Sequence, residues 1–221
     1  MQTAIPIFEG FTALDAIGPY EVLQRLPDAE VVFCAPEAGE YRTDNGMLGV
    51  LADRSFDQVP APDIVLVPGG FGSRKLIEHP NAYTEWLLAV DTGTKYTTSV
   101  CTGSLVLAAA GLLEGIEATT HWAAREILAA LGAVPVAERV VQRGKIVTAA
   151  GVSSGIDMAL RLVEEMEGEQ AAQAAQLGIE YDPDPPHRTG SLESSPPELV
   201  DAVREQLAAE GARIAERLAA G

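Results

Sequence analysis

The sequence places one cysteine where a predicted strand gives way to a predicted helix. Residues 96–100 are typical of a short strand, residues 105–110 begin a helical pattern, and Cys101 lies between them. A side chain on such a tight turn is held away from the sheet, and the positive end of the helix behind it favours a negative charge. We therefore predict that the Cys101 thiol loses its proton more easily than a free cysteine and acts as a nucleophile.

The alternative role for Cys101 is that of a small buried hydrophobe, which is common for free cysteines. Two neighbouring features favour chemistry instead. Thr102 follows directly, at a helix N-terminus whose unpaired backbone N–H groups face the same space. Gly70 and Gly72 follow another predicted strand, and ligands bind at the carboxyl ends of strands in an open parallel sheet. The two strand ends are therefore expected to form one pocket.

A carboxyl group, Asp15, follows the first predicted strand. Its simplest interpretation is a helix N-cap, a position that aspartate favours. Beside a nucleophilic thiolate, with its pKa raised by burial or by the like charge, the same carboxyl can act as general acid and base. The two roles are compatible, and both stay open at this point.

Three further side chains each have two interpretations. The hydroxyl of Thr102 either orients water or substrate, or caps the helix behind Cys101. His121 either serves as the base of a Cys–His pair or caps the helix that begins near it. Trp122 either lines an apolar pocket or belongs to the core. The three histidines and two cysteines lack metal-ligand spacing, so no metal site is predicted.

The elements that must position these residues alternate between short strands and helices. Strands are predicted at residues 3–8, 29–34, 64–67 and 96–100, a hairpin at 139–148, and helices at 15–26, 82–90, 103–113, 154–167 and 198–220. The alternation predicts an α/β fold, a mostly parallel sheet covered by helices on both faces. We expect a single domain over residues 1–221, with a C-terminal loop and helix extension at 181–221.

Composition limits the function classes. The 221-residue chain has a net charge of -17 and a mean hydropathy of +0.10, with a sequence pI near 4.4. Nucleic acid and anionic membranes repel such a surface, so neither is an expected partner. Residues 1–10 lack a basic n-region and a long apolar run, and no apolar stretch approaches the ~20 residues that span a bilayer, so neither a targeting segment nor a membrane span is expected. With only two cysteines and no disulfide framework, a cytoplasmic location is expected.

Four blocks of sequence together resemble the ThiJ/PfpI superfamily, which has a class I glutamine amidotransferase-like fold of flavodoxin type. The blocks are LDAIGPYEVL at 14–23, VPGG at 67–70, VCTGS at 100–104 and ATTHW at 118–122. Within the superfamily the chain is similar to isocyanide hydratases. The resemblance implies a flavodoxin-like sandwich with a cysteine nucleophile elbow, and it implies a homodimer.

The resemblance also implies an activity like that of cyclohexyl-isocyanide hydratase, in which an isocyanide is hydrated to an N-substituted formamide without a cofactor or metal. In that reaction Cys101 attacks the terminal carbon and Asp15 donates a proton, which gives a covalent thioimidate. Asp15 then activates water, and Thr102 positions the water or Asp15. Backbone groups near Gly70 and Thr102 are expected to stabilise the intermediate.

Gly70 and Gly72, at a strand end, and Trp122 are predicted to line the substrate pocket. The chain departs from the isocyanide hydratases at Ala149 and Ala150, where those proteins tend to carry glycine. We expect the alanines to reduce backbone freedom near the following helix and to alter turnover or substrate preference.

Other functions remain open on the same elbow. A glyoxalase-like or amide-hydrolysing enzyme is one, and a non-enzymatic ligand or redox sensor in which Cys101 is oxidised is another. The ligand-binding half of AraC-type regulators shares the Asp15 and Cys101 blocks. Those proteins continue into a helix-turn-helix module, for which residues 198–221 are expected to be too few.

Overall fold

The computed structural model of the protein describes residues 1–220. The strands are β1 (Gln2–Pro6), β2 (Glu30–Ala35), β3 (Gly39–Arg42), β4 (Gly49–Ala52), β5 (Arg54–Ser55), β6 (Ile64–Val67), β7 (Tyr96–Val100), β8 (Glu117–Ala118), β9 (Val134–Pro135), β10 (Val140–Arg143) and β11 (Ile146–Ala149). The helices are α1 (Ala13–Leu23), α2 (Ser73–Leu76), α3 (Ala82–Asp91), α4 (Gly103–Ala109), α5 (Arg125–Ala130), α6 (Ser154–Glu167), α7 (Glu169–Gly178) and α8 (Pro197–Ala220).

A seven-stranded sheet in the order β10-β11-β7-β6-β1-β2-β5 organises the fold. Its pairs are parallel except β10–β11, which is the predicted hairpin. Helices α1, α6 and α7 pack together as one layer, while α2, α3 and α5 pack around α4. The predicted α/β sandwich with a mostly parallel sheet is therefore confirmed.

Burial explains why the bounds of the central strands β6 and β7 could be predicted from the sequence. All four residues of β6 are buried, and β7 is buried after its first residue. A strand covered on both faces is expected to be continuously apolar or small, and both strands lie at the predicted bounds. Because β1, β6, β7 and β11 are parallel, their carboxyl ends meet at one edge of the sheet. The cysteine elbow stands at that edge.

Some predicted bounds are wrong. Helix α4 ends at Ala109 instead of residue 113, because the chain turns through Gly111 with a φ of +81°. Helix α1 begins at Ala13, two residues before the predicted start. The β3–β4 hairpin and α7 were not predicted. Strand β3 (GEYR) is polar and half-exposed, so it lacks the apolar pattern on which strand prediction depends.

The C-terminal extension folds back onto its own subunit. Residues 181–196 form a loop without helix or strand, and α8 follows. Ile214 of α8 is only 2% exposed, and Arg217 donates from Nη2 to the backbone oxygen of Asp44 at 2.5 Å. The apolar face of α8 around Ile214 therefore covers the same chain. Among residues 1–220, no helix has both the length and the apolar character needed to cross a membrane.

Candidate active site

The cysteine elbow is a strained turn held by neighbouring strands. Cys101 has a φ of +57°, a left-handed conformation that costs a non-glycine residue about 1–3 kcal/mol. Its backbone N–H is held by the carbonyls of Ala149 at 3.1 Å and Ala150 at 2.7 Å, at the end of β11. The next turn is tight as well, since a Cβ on Gly103 would lie 2.1 Å from the Val67 oxygen. The surrounding chain therefore fixes the position of the thiol.

The pKa of the Cys101 thiol is influenced by two backbone donors and one carboxyl. The N–H groups of Thr102 and Val152 lower it, and the side chain of Asp15 raises it. Burial raises the pKa of the Cys101 thiol well above its ordinary value, and the charge of Asp15 raises it further. The predicted low thiol pKa is wrong for this environment. The two N–H groups lower the pKa by less than desolvation raises it.

Asp15 is fully buried beside the thiol. Its Oδ2 accepts the N–H of Gly69 at 2.9 Å, while Oδ1 has no hydrogen-bond partner within the described residues. Burial raises the pKa of Asp15 to about 8, against a smaller lowering by the Gly69 hydrogen bond. The N-cap interpretation is wrong, because Thr12 is the N-cap of α1 and Asp15 lies within its first turn.

The carboxyl and the thiol form one coupled acid–base pair. The charge of Asp15 raises the pKa of the Cys101 thiol, whereas the hydrogen bond with Cys101 lowers the pKa of Asp15, and both groups are buried. Such a pair can hold one negative charge far more easily than two, so its protons are lost in two separate steps. In the singly charged state a single proton is shared between Asp15 and Cys101. That state contains both a nucleophile and an acid.

Thr102 occupies the N-cap position before α4, but its side chain makes no capping hydrogen bond. Its Oγ1 accepts the N–H of Gly70 at 2.9 Å and contacts the hydroxyl of Ser73 at 3.1 Å. The Gly70 N–H is therefore occupied, which corrects the expectation that it is available to stabilise an intermediate. Thr102 joins the elbow to the turn after β6.

Gly69 was missed as a site residue, although it stands in the VPGG block. A Cβ at this position would lie 2.5 Å from the backbone nitrogen of Thr102 and 2.9 Å from Oδ2 of Asp15. Only glycine lets the chain pass between the two groups and donate its N–H to the carboxyl. The paired glycines after a buried strand were the available signal.

A cavity of about 260 Å³ opens over Cys101 and Thr102. Its wall is largely apolar, with a few polar and charged groups. The lining residues are Thr12, Asp44, Gly70, Phe71, Ser73, Arg74, Cys101, Thr102, Leu105, His121, Ala123, Ala124, Ile127, Val152, Leu207 and Glu210. This arrangement suits a small apolar ligand whose reactive end meets the thiol.

Two residues predicted to line this cavity lie elsewhere. Trp122 packs beside the His121 ring, and the guanidinium of Arg204 lies over it at 5.2 Å, so the indole faces α8 instead of the cavity. Gly72 is also absent from the wall. A Cβ there would lie 1.9 Å from the Glu9 oxygen, so its role is to allow close backbone packing.

His121 lines the cavity and caps the short turn that follows it. Its Nδ1 accepts the N–H of Ala123 at 3.3 Å, which agrees with the capping interpretation. Burial lowers the pKa of His121, and Arg125 lowers it further. With Nδ1 accepting, the proton of the neutral ring lies on Nε2, which is then a donor and not a base. Within residues 1–220, no three His, Cys, Asp or Glu side chains are grouped as metal ligands.

Comparison with known proteins agrees with this geometry. The model of the DJ-1/PfpI family matches residues 1–165, which include the elbow, Asp15 and the glycine turn after β6. The chain belongs to the DJ-1/PfpI family. This DJ-1/PfpI protein is 40% identical to isonitrile hydratase of Pseudomonas putida, over 94% of this chain and 90% of that protein.

Other relatives of this DJ-1/PfpI protein differ in their degree of similarity. A THiJ/PfpI family protein from Pseudomonas syringae superposes with a TM-score of 0.89 and 34% identity, over 96% of this chain and 88% of that one. The HTH-type transcriptional regulator CdhR of Pseudomonas aeruginosa is 28% identical, over 76% of this chain but only 50% of the regulator. The family fold therefore serves both enzymes and parts of larger regulators.

Proposed function

We propose that this DJ-1/PfpI protein is an isocyanide hydratase, which converts R–N≡C and water into R–NH–CHO. The observation that carries the proposal is Cys101 on a strained turn with a φ of +57°, which lines a largely apolar cavity and is coupled electrostatically to the buried carboxyl of Asp15. The 40% identity to isonitrile hydratase of Pseudomonas putida supports the same reaction.

The first step forms a covalent thioimidate. The Cys101 thiolate attacks the terminal carbon, so a C–S bond forms, and Asp15 delivers its proton to the same carbon. The product is R–N=CH–S–Cys101 with Asp15 ionised. Addition of sulfur and hydrogen to one carbon uses a thiolate and an acid together, which is what the singly charged pair holds. Before attack, the N–H groups of Thr102 and Val152 stabilise the thiolate.

The second step consumes water. Ionised Asp15 takes a proton from water, the resulting hydroxide attacks the thioimidate carbon, and Asp15 passes that proton to the nitrogen. The tetrahedral species is R–NH–CH(OH)–S–Cys101. When the C–S bond breaks, the hydroxyl proton returns to Asp15 and the formamide leaves. The pair is then back in its starting state, with no cofactor or metal consumed. Splitting the addition in two is the gain from covalent catalysis.

The site favours this chemistry over hydrolysis through a Cys–His pair. Hydrolysis of an amide by such a pair needs an imidazole base near the thiol. Here Nδ1 of His121 accepts a backbone N–H, and the pKa of the ring is lowered by burial. The acid–base group that reaches the sulfur is Asp15. Proton transfer is therefore assigned to Asp15.

The direct test is to incubate reduced protein with a simple alkyl isocyanide and to follow formamide by absorbance and mass spectrometry. We expect turnover, together with a mass increase on Cys101 equal to one isocyanide when the reaction is quenched early. Methylglyoxal is assayed in parallel. Absence of formamide would overturn the proposal, and consumption of methylglyoxal would favour the glyoxalase-like alternative. Oxidation of Cys101 without turnover of either compound would favour a sensor.

The homodimer implied by the resemblance remains a prediction. Since α8 covers its own subunit, the face through which two copies would meet is not α8's buried stripe around Ile214. Light scattering of the purified protein tests the oligomeric state, with a mass near twice 23.3 kDa expected.

A further inference from the structure

The wall of the reactive cavity includes one element from outside the part of the chain that matches the family. Leu207 and Glu210, both on α8, line the cavity with groups near the elbow. The family match ends at residue 165, so the elbow and acid belong to the shared core while this part of the wall belongs to the C-terminal extension. The shape of the cavity therefore depends on a segment that the shared core does not supply.

Close contacts hold α8 in place over the cavity. A Cβ on Gly211 would lie 2.9 Å from Cε1 of Phe71, so glycine permits the helix to approach a cavity-lining ring. Three residues further along, Ile214 is 2% exposed. Near the helix end, Nζ of Lys75 donates to the Leu218 oxygen at 2.6 Å. Packing and a hydrogen bond on the C-terminal side of Leu207 therefore hold this part of α8 over the cavity.

The cavity wall contains two leucines, Leu105 and Leu207, and truncating them would affect different parts of the structure. Leu105 is 1% exposed in α4 and packs in the core, so truncating it would disturb the elbow helix itself. Leu207 is half-buried, with one side toward the cavity. Truncation there removes wall volume without emptying the core.

The charges near the wall restrict the ligand further. Asp44 and Glu210 bring two carboxylates to the cavity, and Arg74 brings one guanidinium. The whole chain has a net charge of -17. An anionic group on the substrate would meet repulsion both at long range and at the cavity. A neutral apolar group would instead gain from burial against Phe71, Ile127 and Leu207.

We propose that Leu207 is a specificity-determining residue, which sets the upper size of the neutral apolar R group that this enzyme accepts. The inference rests on the proposed isocyanide hydratase function. A methylene gained or lost in an apolar pocket changes discrimination by about 10–200-fold at most. Leu207→Ala removes three carbons from the wall and opens space for a larger R group, whereas Leu207→Phe fills it.

The test measures kcat/KM for a series of neutral alkyl isocyanides of increasing R-group size. We expect Leu207→Ala to shift the ratio of kcat/KM for bulky over compact substrates upward by about tenfold or more, and Leu207→Phe to shift it downward. Leu199→Ala is the matched control, since Leu199 is a 43% exposed leucine on the same helix and lies outside this cavity. It should leave the ratio unchanged.

The outcomes separate the two proposals. If the unmodified protein turns over isocyanides and neither Leu207 variant changes the ratio, the inference about Leu207 is overturned while the proposed function stands. If the unmodified protein turns over no isocyanide, the proposed function fails and the inference fails with it. Circular dichroism checks that each variant is folded. Should Leu207→Ala unfold, the downward shift in Leu207→Phe alone decides the question.

Discussion

Both cysteines of this protein are buried, but their surroundings differ. Cys34 is 0% exposed within β2, and its carbonyl accepts the N–H of Ile7 at 2.9 Å. Cys101 is 6% exposed at the turn between β7 and α4. Burial raises the pKa of both thiols, and a nearby carboxylate raises each further, Asp53 for Cys34 and Asp15 for Cys101. Neither burial nor pKa direction distinguishes them.

The difference lies in the backbone and in access. Cys34 has ordinary strand geometry, whereas Cys101 has a φ of +57° and faces a cavity. Two N–H groups, from Thr102 and Val152, reach the Cys101 sulfur, while no such donor acts on Cys34. A strained turn thus directs one thiol toward donors and a ligand space. The comparison teaches that geometry, and not burial or pKa direction, distinguishes Cys101 as the proposed nucleophile.

The sharpest test of the comparison replaces each cysteine in turn. Cys101→Ala removes the nucleophile, and we expect kcat/KM for isocyanide hydration to fall by about 10⁴-fold or more. Cys34→Ala removes a buried thiol remote from the elbow, and activity should stay within about twofold. Formamide production measures both. Comparable losses in the two variants would contradict the distinction.

The two neighbouring carboxylates give the next test. Asp15→Asn keeps the shape but cannot shuttle a proton, so we expect a loss in kcat of about 10²–10⁴-fold. Asp53→Asn, beside Cys34, should leave kcat unchanged. Steady-state kinetics at one pH measures both variants. A near-normal rate in Asp15→Asn would remove Asp15 from the proposed mechanism.

Asp15→Asn should also be more stable than the unmodified protein at high pH. The pKa of Asp15 rises from 3.8 to about 8 on folding, so between these values the folded protein holds a proton that the unfolded chain has lost. Its contribution to the free energy of unfolding therefore falls as pH rises through this window. We expect Asp15→Asn to raise that free energy by about 1–2 kcal/mol at pH 8 and hardly at all at pH 4. Denaturant unfolding at the two pH values measures this, and an equal gain at both would be inconsistent with it.

A third test follows the charge of the pair. Below pH 8 both Asp15 and Cys101 are largely protonated and the attacking thiolate is scarce. We expect kcat/KM to rise about tenfold from pH 6 to pH 7 and to level off above about 8. Alkylation of Cys101 by iodoacetamide should rise in parallel, while Cys34 stays unmodified in the folded protein. Peptide mass spectrometry distinguishes the two thiols. A flat profile would show that no such ionisation controls attack.

The smallest expected effect concerns the hydroxyl that joins the elbow to the turn after β6. Thr102→Val leaves the Gly70 N–H without its acceptor, and we expect kcat/KM to fall by about tenfold. Thr102→Ser keeps the hydroxyl and should retain most activity. If Ser rescues no more than Val, the hydrogen bond is not what the reaction needs. If neither variant changes kcat/KM, the Thr102 hydroxyl contributes nothing to the reaction.

Much of the site could be predicted because local pattern carries it. A strand buried on both faces shows a continuous apolar run in β6, and β7 (YTTSV) is rich in β-branched and aromatic residues, so both strands lie at the predicted residues. The alternation of strands and helices then places Cys101 and Asp15 at the same edge of the sheet. Polar, half-exposed β3 has no such pattern and was missed. The role of Gly69 was also missed, since it depends on what passes beside it in space.

The sequence by itself determined the α/β class and the cysteine at a strand-to-helix junction, because each follows from periodicity or from short-range turn chemistry. Only the tertiary structure decided the charge state of the pair and the shape of the cavity. Desolvation depends on every group packed around Cys101 and Asp15, and it outweighs the two N–H groups that favour the thiolate. The cavity wall depends on α8, which lies about a hundred residues away in sequence and meets the elbow only because the chain folds back.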